Sequence, residues 1–145
     1  MILLDANVLL YASNELTPQH AQCREWLEGA LDDYDRIGIP WVSLIAFVRI
    51  ATNPRVMARP LEIDDAWERV EDWLDNDGVW VPEPTEAHRR TLRRLLRGHR
   101  LSGNLVSDAH LAAIAIDHGL TLVTTDRDFA AFAGLKWLNP LEATR

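Results

Sequence analysis

The chain has 145 residues, a length that usually folds as one domain, and its 48% hydrophobic and 26% charged residues are typical of a globular protein. A formal net charge of −7 argues against a broad electrostatic grip on nucleic acid, because phosphate binding normally relies on clustered Lys and Arg. Cys23 is the only cysteine, which excludes an internal disulfide and favours a reducing cytoplasm.

The apolar start of the chain, MILLDANVLLYA, lacks the marks of a targeting segment. It carries Asp5 and no basic leader, which argues against a secretory signal. No uncharged apolar run in the sequence approaches the roughly 20 residues that cross a bilayer. We therefore expect a cytoplasmic protein with no membrane partner.

Short apolar runs alternate with helical patterns from the start of the chain. ILL at residues 2–4 predicts a first strand, and the residues after it predict a first helical turn. A helix is predicted over 17–31, with Thr17 as its N-cap and Pro18 at its first helical position. RIGIP at residues 36–40 predicts a second strand.

The middle of the chain predicts two helices and a strand. The run 41–53 is longer and more apolar than a strand requires, and Ser43 offers a start signal, so we predict a mostly buried helix. Acidic residues separate apolar ones over 62–75, in the pattern of an amphipathic helix. VWVP at residues 79–82 predicts a strand.

The last third of the chain predicts a basic helix, an apolar helix and two strands. The basic helix covers 85–99 and contains most of the arginine run 88–100. SGNLVSDAHLAAIAIDHG, residues 102–119, predicts the apolar helix, with Gly119 as the residue that ends it. The last two strands are predicted at 120–123 and 135–138.

This alternation indicates an α/β fold, with a short central parallel sheet flanked by helices on both faces. Ligands of such sheets bind beyond the carboxyl ends of the strands. Asp5 ends the first strand, and Asp126 and Asp128 follow a later one. Asp108 lies inside an otherwise apolar helix, where an unpaired carboxylate is costly. We therefore expect these acids to gather at one edge of the sheet.

Each acid taken alone also has an ordinary structural interpretation. Asp108 fits a helix cap or a partner for an arginine, although Ser102 and Asn104 are better caps. Asp5 fits an Asx turn at the end of a strand, and the pair in the segment TDRD fits a solvated turn. The occurrence of all of them together favours a common site.

Carboxylates held close together repel, so a shared pocket implies a compensating cation. Ligation by oxygen alone favours Mg²⁺ or Mn²⁺. Such an ion activates water for in-line attack on phosphorus, which indicates phosphodiester hydrolysis. Arg49 and Arg55, which flank the segment IATNP, are the candidates for gripping a phosphate. For the arginine run 88–100 a solvated helix face is the favoured interpretation over RNA binding.

Four segments of the chain resemble a known family. LLDANVLLYA, GNLVSDAHLAAIA and LTLVTTDRDF resemble, in order and spacing, three motifs of PIN-domain ribonucleases, specifically the VapC-type toxins of toxin–antitoxin pairs. VSLIAFVRIATNPRV resembles the second motif of a mycobacterial-type subgroup. The resemblance covers essentially the whole chain, and it implies a single PIN domain over residues 1–145.

The resemblance also implies functional residues and partners. Metal-binding acids fall on Asp5, Asp108 and Asp126, with Asp128 as an additional acid. Small polar residues that support such ligands fall on Asn7, Asn104, Ser107 and Thr124. Members of the family cut RNA with Mg²⁺ or Mn²⁺, commonly form homodimers, and are silenced by a VapB-type antitoxin.

The second motif departs from the family pattern. Many relatives carry a glutamate where this chain has Ala46, and no Asp or Glu lies between residues 36 and 61. Fewer acids then suffice, or Asp128 substitutes, or metal binding is weak, or the acid was lost by mutation. One alternative function is therefore a PIN-fold module that binds RNA or antitoxin without cutting. Another is an unrelated α/β enzyme acting on a small phosphoester, which the lack of a glycine-rich phosphate loop disfavours.

The histidines and tryptophans lack a spacing that predicts a site. His110 lies two residues after Asp108 and points away from it on a helix, so we expect it at the surface or in an interface. Solvated helix positions are expected for His20, His88, His99 and His118. Core packing and contacts with a protein partner are expected for Trp67, Trp73 and Trp80.

Overall fold

The computed structural model describes residues 1–99 and 103–142. Its centre is a five-stranded sheet in which every neighbouring pair of strands is parallel. The strands are β1 (Ile2–Leu4), β2 (Ile37–Gly38), β3 (Val79–Trp80), β4 (Thr121–Val123) and β5 (Trp137–Leu138). Their order across the sheet is β3-β2-β1-β4-β5.

Six helices connect these strands in the described part of the chain. They are α1 (Ala6–Ser13), α2 (His20–Asp33), α3 (Trp41–Ala51), α4 (Ile63–Leu74), α5 (His88–His99) and α6 (Asn104–His118). A short 3-10 helix, Arg127–Ala131, follows β4. The predicted parallel α/β sheet is confirmed. None of the described helices is long and apolar enough to cross a membrane.

Two apolar layers cover the two faces of the sheet. Helices α1 to α4 pack with Ile2 and Leu4 on one face, whereas α5 and α6 pack with Leu3 and Leu122 on the other. Side chains of β1 therefore alternate between the layers, as expected for a strand in the middle of a sheet. Full burial of each such side chain contributes about 1.5–3 kcal/mol.

The pairing of β1 with β4 brings distant parts of the chain together at one edge. Leu4 pairs with Val123, and the amide of Asp5 donates a 3.0 Å hydrogen bond to the carbonyl oxygen of Val123. Asp5 and Thr124 thus emerge side by side from the carboxyl ends of two adjacent strands. The sheet edge expected to bind a ligand is therefore built from both ends of the sequence.

The predicted start of α2 is wrong by two residues, because Thr17 was predicted as the cap and Pro18 as the first helical residue. The helix begins at His20, and Gln19 occupies the cap position without a side-chain hydrogen bond. The hydroxyl of Thr17 instead donates a 2.9 Å hydrogen bond to the carbonyl oxygen of Asn14. Thr17 therefore closes the turn that follows α1 and leaves α2 uncapped.

Two other predicted helix starts also differ from the structure. Pro40 precedes α3, so Ser43 lies inside its first turn and is buried. Helix α5 begins at His88, because Thr85 forms a preceding turn in which its hydroxyl accepts a 3.2 Å hydrogen bond from the amide of Ala87. In both places the polar residue predicted to start the helix occupies a different position: Ser43 is inside the helix, and Thr85 is in the turn before it.

Helix α6 follows the prediction more closely. Gly119 ends it in the left-handed conformation, with φ of 67°, as predicted. Gly103 precedes the helix, so Asn104 is its first residue and Asp108 lies within its second turn. The cap interpretation of Asp108 is therefore wrong. Ser102, and Arg100 of the arginine run, lie outside the described residues.

A polar seam joins α5 to α6. The carboxylate of Asp117 accepts hydrogen bonds from Thr91 (2.6 Å) and Thr85 (3.4 Å), and it lies 3.7 Å from Nδ1 of His88. Nε2 of His88 is 2.9 Å from Nδ1 of His110. The prediction of a solvated His88 is therefore wrong. Burial, followed by the neighbouring His88, lowers the pKa of His110.

The three tryptophans expected in packing roles occupy different environments. Trp73 meets Phe47 edge to face, with ring centroids 4.8 Å apart. The guanidinium of Arg36 lies 4.6 Å above the ring of Trp80. Trp67 is 43% exposed, so only this one is available to a partner protein.

Candidate active site

Asp5 is the most constrained acid of the predicted site. Its Oδ1 accepts a 2.7 Å hydrogen bond from the amide of Ala6, which places Asp5 at the N-cap of α1. Its Oδ2 accepts hydrogen bonds from Thr124 Oγ1 (2.8 Å) and Asn7 Nδ2 (3.0 Å). Burial raises the pKa of Asp5, and the hydrogen bonds from Thr124 and Ala6 oppose that rise. The carboxylate is therefore held in one orientation.

Thr124 and Asn7 connect Asp5 to the segment that carries Asp126. Thr124 is fully buried, and its hydroxyl accepts a 3.1 Å hydrogen bond from the amide of Asp126. The side-chain oxygen of Asn7 accepts a 3.2 Å hydrogen bond from the amide of Thr125. Two buried or half-buried polar side chains thus fix the relative positions of the first and third acidic segments.

Asp126 and Asp128 have different surroundings. Asp126 is half-buried, and its Oδ1 accepts a 2.9 Å hydrogen bond from the amide of Asp128, which starts the 3-10 helix. Asp128 is exposed on that helix and is not part of the wall of the neighbouring cavity. Asp126 therefore lines the site, whereas Asp128 acts on it through its charge.

Asp108 reaches the same place from α6. Its pKa is raised to about 6, first by burial and then by the charges of Asp5, Asp126 and Asp128, in that order of importance. This shift is an electrostatic sign that the four carboxyl groups lie near one another. The structure thus brings the acids of all three predicted segments to one locality.

An open cavity of about 390 Å³ lies between these acids and α3. Asn104 and Ser107 of α6, both exposed, line it beside Asp108. Arg49 of α3 also lines it, so one of the two predicted phosphate-binding arginines is present in the wall. Arg55 is absent from the wall, because it lies in the turn after α3, where its amide donates to Oδ1 of Asn53.

The α3 wall of the cavity contains a residue that sequence reasoning missed. Ala46 lines the cavity at the place of the second-motif glutamate, and Ser43 lines it one helical turn earlier. Ser43 is 2% exposed, and its hydroxyl has no hydrogen-bond partner among the described residues. The three-residue spacing of Ser43 and Ala46, which puts both on one helix face, was the signal available in the sequence.

The donor chemistry of this cavity fits a hard divalent cation. Carboxylate, amide and hydroxyl oxygens surround it. Burial, together with neighbouring carboxylates, raises the pKa values of Asp5 and Asp108, and a bound cation would favour their charged forms. The buried hydroxyl of Ser43 adds an unsatisfied oxygen to the same wall. Within residues 1–99 and 103–142, however, no three His, Cys, Asp or Glu side chains converge as a complete ligand set.

The family of the chain follows from comparison with known proteins. The sequence pattern of the PIN domain matches residues 2–135. The chain therefore belongs to the PIN domain family. Its first strand, α6 and the end of β4 are the elements that position Asp5, Asp108 and Asp126.

Individual relatives and a solved structure agree with this assignment. The chain is 44% identical to Ribonuclease VapC37 of Mycobacterium tuberculosis, over 97% of both sequences. It is 37% identical to Ribonuclease VapC43 of the same organism, over 98% of this chain and 97% of the relative. The crystal structure of VapBC2 from Rickettsia felis, bound to a promoter DNA fragment, superimposes with a TM-score of 0.71 at 20% identity. It covers 96% of this chain and 98% of the other, a likeness of fold.

Proposed function

We propose that this chain is the toxin of a toxin–antitoxin pair and that it hydrolyses RNA phosphodiester bonds with Mg²⁺ or Mn²⁺. The observation that carries the proposal is that Asp5, Asp108 and Asp126, from three separate segments, line the wall of one cavity. The raised pKa of Asp108, caused by burial and then by the neighbouring acids, agrees with this arrangement. Membership of the PIN domain family and identity to proteins named VapC ribonucleases support it.

In this proposal each cavity residue has a defined task. Asp5, Asp108 and Asp126 hold the divalent ion, and a bound ion of this kind activates water and offsets charge on the phosphate. Thr124 and Asn7 hold the carboxylate of Asp5 in its orientation through hydrogen bonds. Asn104 and Ser107 line the α6 side of the cavity.

Arg49 completes the proposed substrate contacts. It lines the same cavity as the acids, from the last turn of α3. A guanidinium binds phosphate oxygens through two parallel hydrogen bonds, which suits an anchor beside the scissile group. Charge reversal, Arg49→Glu, is expected to weaken RNA cleavage while leaving the thermal unfolding temperature unchanged, and unaltered cleavage would count against this role.

The second candidate function is a PIN-fold module that binds RNA or antitoxin without cutting. Ala46 favours it, because this position supplies no carboxylate to the cavity wall. Calorimetric titration with Mg²⁺ and Mn²⁺, together with cleavage of a panel of structured RNAs, separates the two functions. Metal binding with cutting supports the ribonuclease, and RNA binding without metal supports the module.

The proposed protein partners are a VapB-type antitoxin and a second copy of this chain, with a cytoplasmic location. The first rests on similarity to the Rickettsia felis complex and relatives. For the second, α3 and α4 share an exposed apolar patch in which Trp41 and Trp67 stack at 6.4 Å. The other exposed members are Ile45 and Ile63, 60% and 59% exposed. A short upstream reading frame resembling an antitoxin gene is the cheapest support for the pair.

A further inference from the structure

Helix α5 is the most strongly basic element of an acidic chain. It contains five arginines and no acidic residue, which leaves ten basic residues against 22 acidic ones elsewhere in the sequence. The five arginines all lie on the exposed side of the helix: Arg89, Arg90, Arg93, Arg94 and Arg97. The helix thus presents a strip of positive charge on a protein whose net charge is −7.

Within the part of the chain that the structure describes, no ion pair with a carboxylate neutralises this arginine strip. Among the described residues, the arginines in ion pairs with carboxylates are Arg24, with Glu28, and Arg127, with Glu142. No such pair includes an arginine of α5. Like charges four residues apart on a helix destabilise it, as at 89, 93 and 97. The repulsion between these arginines therefore lowers the stability of the helix, and a bound anion would offset that repulsion.

The rotation of α5 about its axis is fixed by its buried side. Leu92, Leu95 and Leu96 belong to the apolar layer beneath the helix. Thr91 is buried, and its hydroxyl donates a 2.6 Å hydrogen bond to Asp117 of α6. Because the opposite face is anchored in this way, the arginines are held outward as a group.

The C-terminal end of the strip is close in sequence to the candidate active site. Four residues separate His99, where α5 ends, from Asn104, where α6 begins, and α6 carries Asp108 to the cavity wall. On its other side, Arg94 donates a 3.2 Å hydrogen bond to the carbonyl oxygen of Ala133, in the segment that follows Asp126. The C-terminal half of α5 thus contacts the connection between β4 and β5, which begins near Asp126, and it leads towards the start of α6.

We propose that the exposed arginines of α5 bind the RNA backbone next to the cleaved bond, so that substrate extends from the acidic cavity along this helix. The inference rests on the proposed function and names the path of its substrate. Eight residues separate Arg89 from Arg97, which corresponds to roughly 12 Å of helix, enough for several phosphates. Contacts of this kind position a strand without reading its bases.

The decisive variant neutralises the strip and keeps the helix. Arg89→Gln, Arg93→Gln and Arg97→Gln are combined, since glutamine has a helix propensity close to that of arginine. The matched control combines Arg24→Gln, Arg59→Gln and Arg69→Gln, which remove the same charge from exposed positions outside α5. A third protein carries lysine at 89, 93 and 97, which keeps the charge and is expected to retain binding.

Binding is measured by fluorescence anisotropy of a 20-nucleotide RNA over a range of salt concentrations, with Asp108→Asn added to every protein to prevent cleavage. The α5 glutamine variant is expected to bind at least tenfold more weakly, with a salt dependence shallower by about 2 in log–log slope for three lost phosphate contacts. The control and the lysine variant are expected to match the parent. Equal losses in the α5 and control variants overturn the inference.

Cleavage with Asp108 restored separates this inference from the proposed function. The α5 variant is expected to raise KM for the long RNA at unchanged kcat and to cut a tetranucleotide at the parental rate. Parental cleavage and binding of the long RNA by the α5 variant overturn the inference and leave the ribonuclease intact. RNA binding through α5 by a parent that cuts nothing overturns the ribonuclease instead. Loss of antitoxin binding with full RNA binding assigns the strip to a protein partner and overturns the inference.

Discussion

The hydroxyl of Thr124 donates a 2.8 Å hydrogen bond to Oδ2 of Asp5, although the two residues lie 119 positions apart in the chain. The same hydroxyl accepts the amide of Asp126, so one fully buried oxygen joins two acidic segments. Thr124 is small and fully buried. A substitution of nearly the same size can therefore test what its hydroxyl contributes to the site.

Thr124→Val is expected to weaken both metal binding and the fold. It removes the hydroxyl and leaves the carboxylate of Asp5 and the amide of Asp126 each short of one partner, at a cost of about 1–3 kcal/mol. Loss of such a supporting hydrogen bond typically lowers metal affinity by about 10–100-fold. Urea unfolding and Mn²⁺ calorimetry measure the two effects. Thr121→Val, on the same strand, is the control, and equal behaviour of the two variants contradicts the assigned role.

Asp108→Asn is expected to stabilise the metal-free protein at neutral pH while abolishing cleavage. The pKa of Asp108 is raised from 3.8 to about 6, so its folded form binds a proton more tightly than its unfolded form. Its favourable contribution is complete below about pH 4 and is lost as pH rises through about 6. Asparagine stays uncharged at every pH. The variant therefore does not lose this stability as the pH rises, and its side chain is not repelled by Asp5 and Asp126.

The measurement is the unfolding temperature in EDTA between pH 4.5 and 7.5. The difference between Asp108→Asn and the parent is expected to grow in favour of the variant across this interval. With Mn²⁺ present the order is expected to reverse, because the variant lacks a metal ligand. Parallel curves for the two proteins in EDTA would show that Asp108 does not feel the charges of its neighbours.

Asp126 and Asp128 are expected to differ in importance. Asp126 lines the cavity, whereas Asp128 is exposed and acts from outside the wall. Asp126→Asn should lower RNA cleavage at least 100-fold, and Asp128→Asn by a few-fold, because a solvent-screened charge contributes little. Initial rates at saturating Mn²⁺ measure both. The double variant is expected to cleave no more slowly than Asp126→Asn alone. If the two single variants lost the same fraction of the cleavage rate, Asp128 would be the residue that replaces the missing glutamate.

Ala46→Glu is expected to tighten metal binding. It adds a carboxylate to the α3 wall of the cavity, and each added charged oxygen ligand raises affinity for a hard cation. Ala46→Gln has nearly the same size without the charge, so it separates electrostatics from filling of the cavity. Calorimetry with Mg²⁺ gives the result. An affinity no higher than that of the glutamine variant means that the cavity is complete without this acid.

Ile45→Asp is expected to dissociate the proposed homodimer. Ile45 lies in the exposed patch of α3 and α4, where a charge would need to be buried on association. Light scattering after size exclusion reports the mass of the chain without antitoxin. Val56→Asp is the control, because Val56 is similarly exposed at 61% but lies outside the patch. An unchanged mass for Ile45→Asp would place the contact elsewhere.

The sequence was a good guide where local pattern and tertiary structure coincide. Alternation of strands and helices predicted the parallel sheet, and acids at strand ends predicted the locality of Asp5 and Asp126. It was a poor guide where a polar side chain has two uses. Thr17 and Ser43 were assigned as helix starts, yet one closes a turn and the other lines the cavity. Which of its uses a polar side chain takes depends on the residues that other segments of the chain place beside it.

The polar seam between α5 and α6 could not be predicted from local sequence patterns, for the same reason. His88 and His110 lie 22 residues apart and have no spacing that predicts contact, but the packing of α5 against α6 puts Nε2 of His88 2.9 Å from Nδ1 of His110. The cavity wall likewise depends on how α3 packs beside the acids, which the apolar pattern of residues 41–53 leaves open. Arg49 and Arg55 therefore looked equivalent in sequence and differ in structure.

The pairing of β1 with β4 has a consequence for biosynthesis. Asp5 leaves the ribosome long before its partner Thr124, which follows it by 119 positions, and before the acid at 126. Contacts of such long sequence separation form late in folding. A growing chain thus carries no complete cavity until β4 has docked beside β1. The proposed activity therefore arises only after β4 has been synthesised and docked, which leaves an interval for the proposed antitoxin to bind.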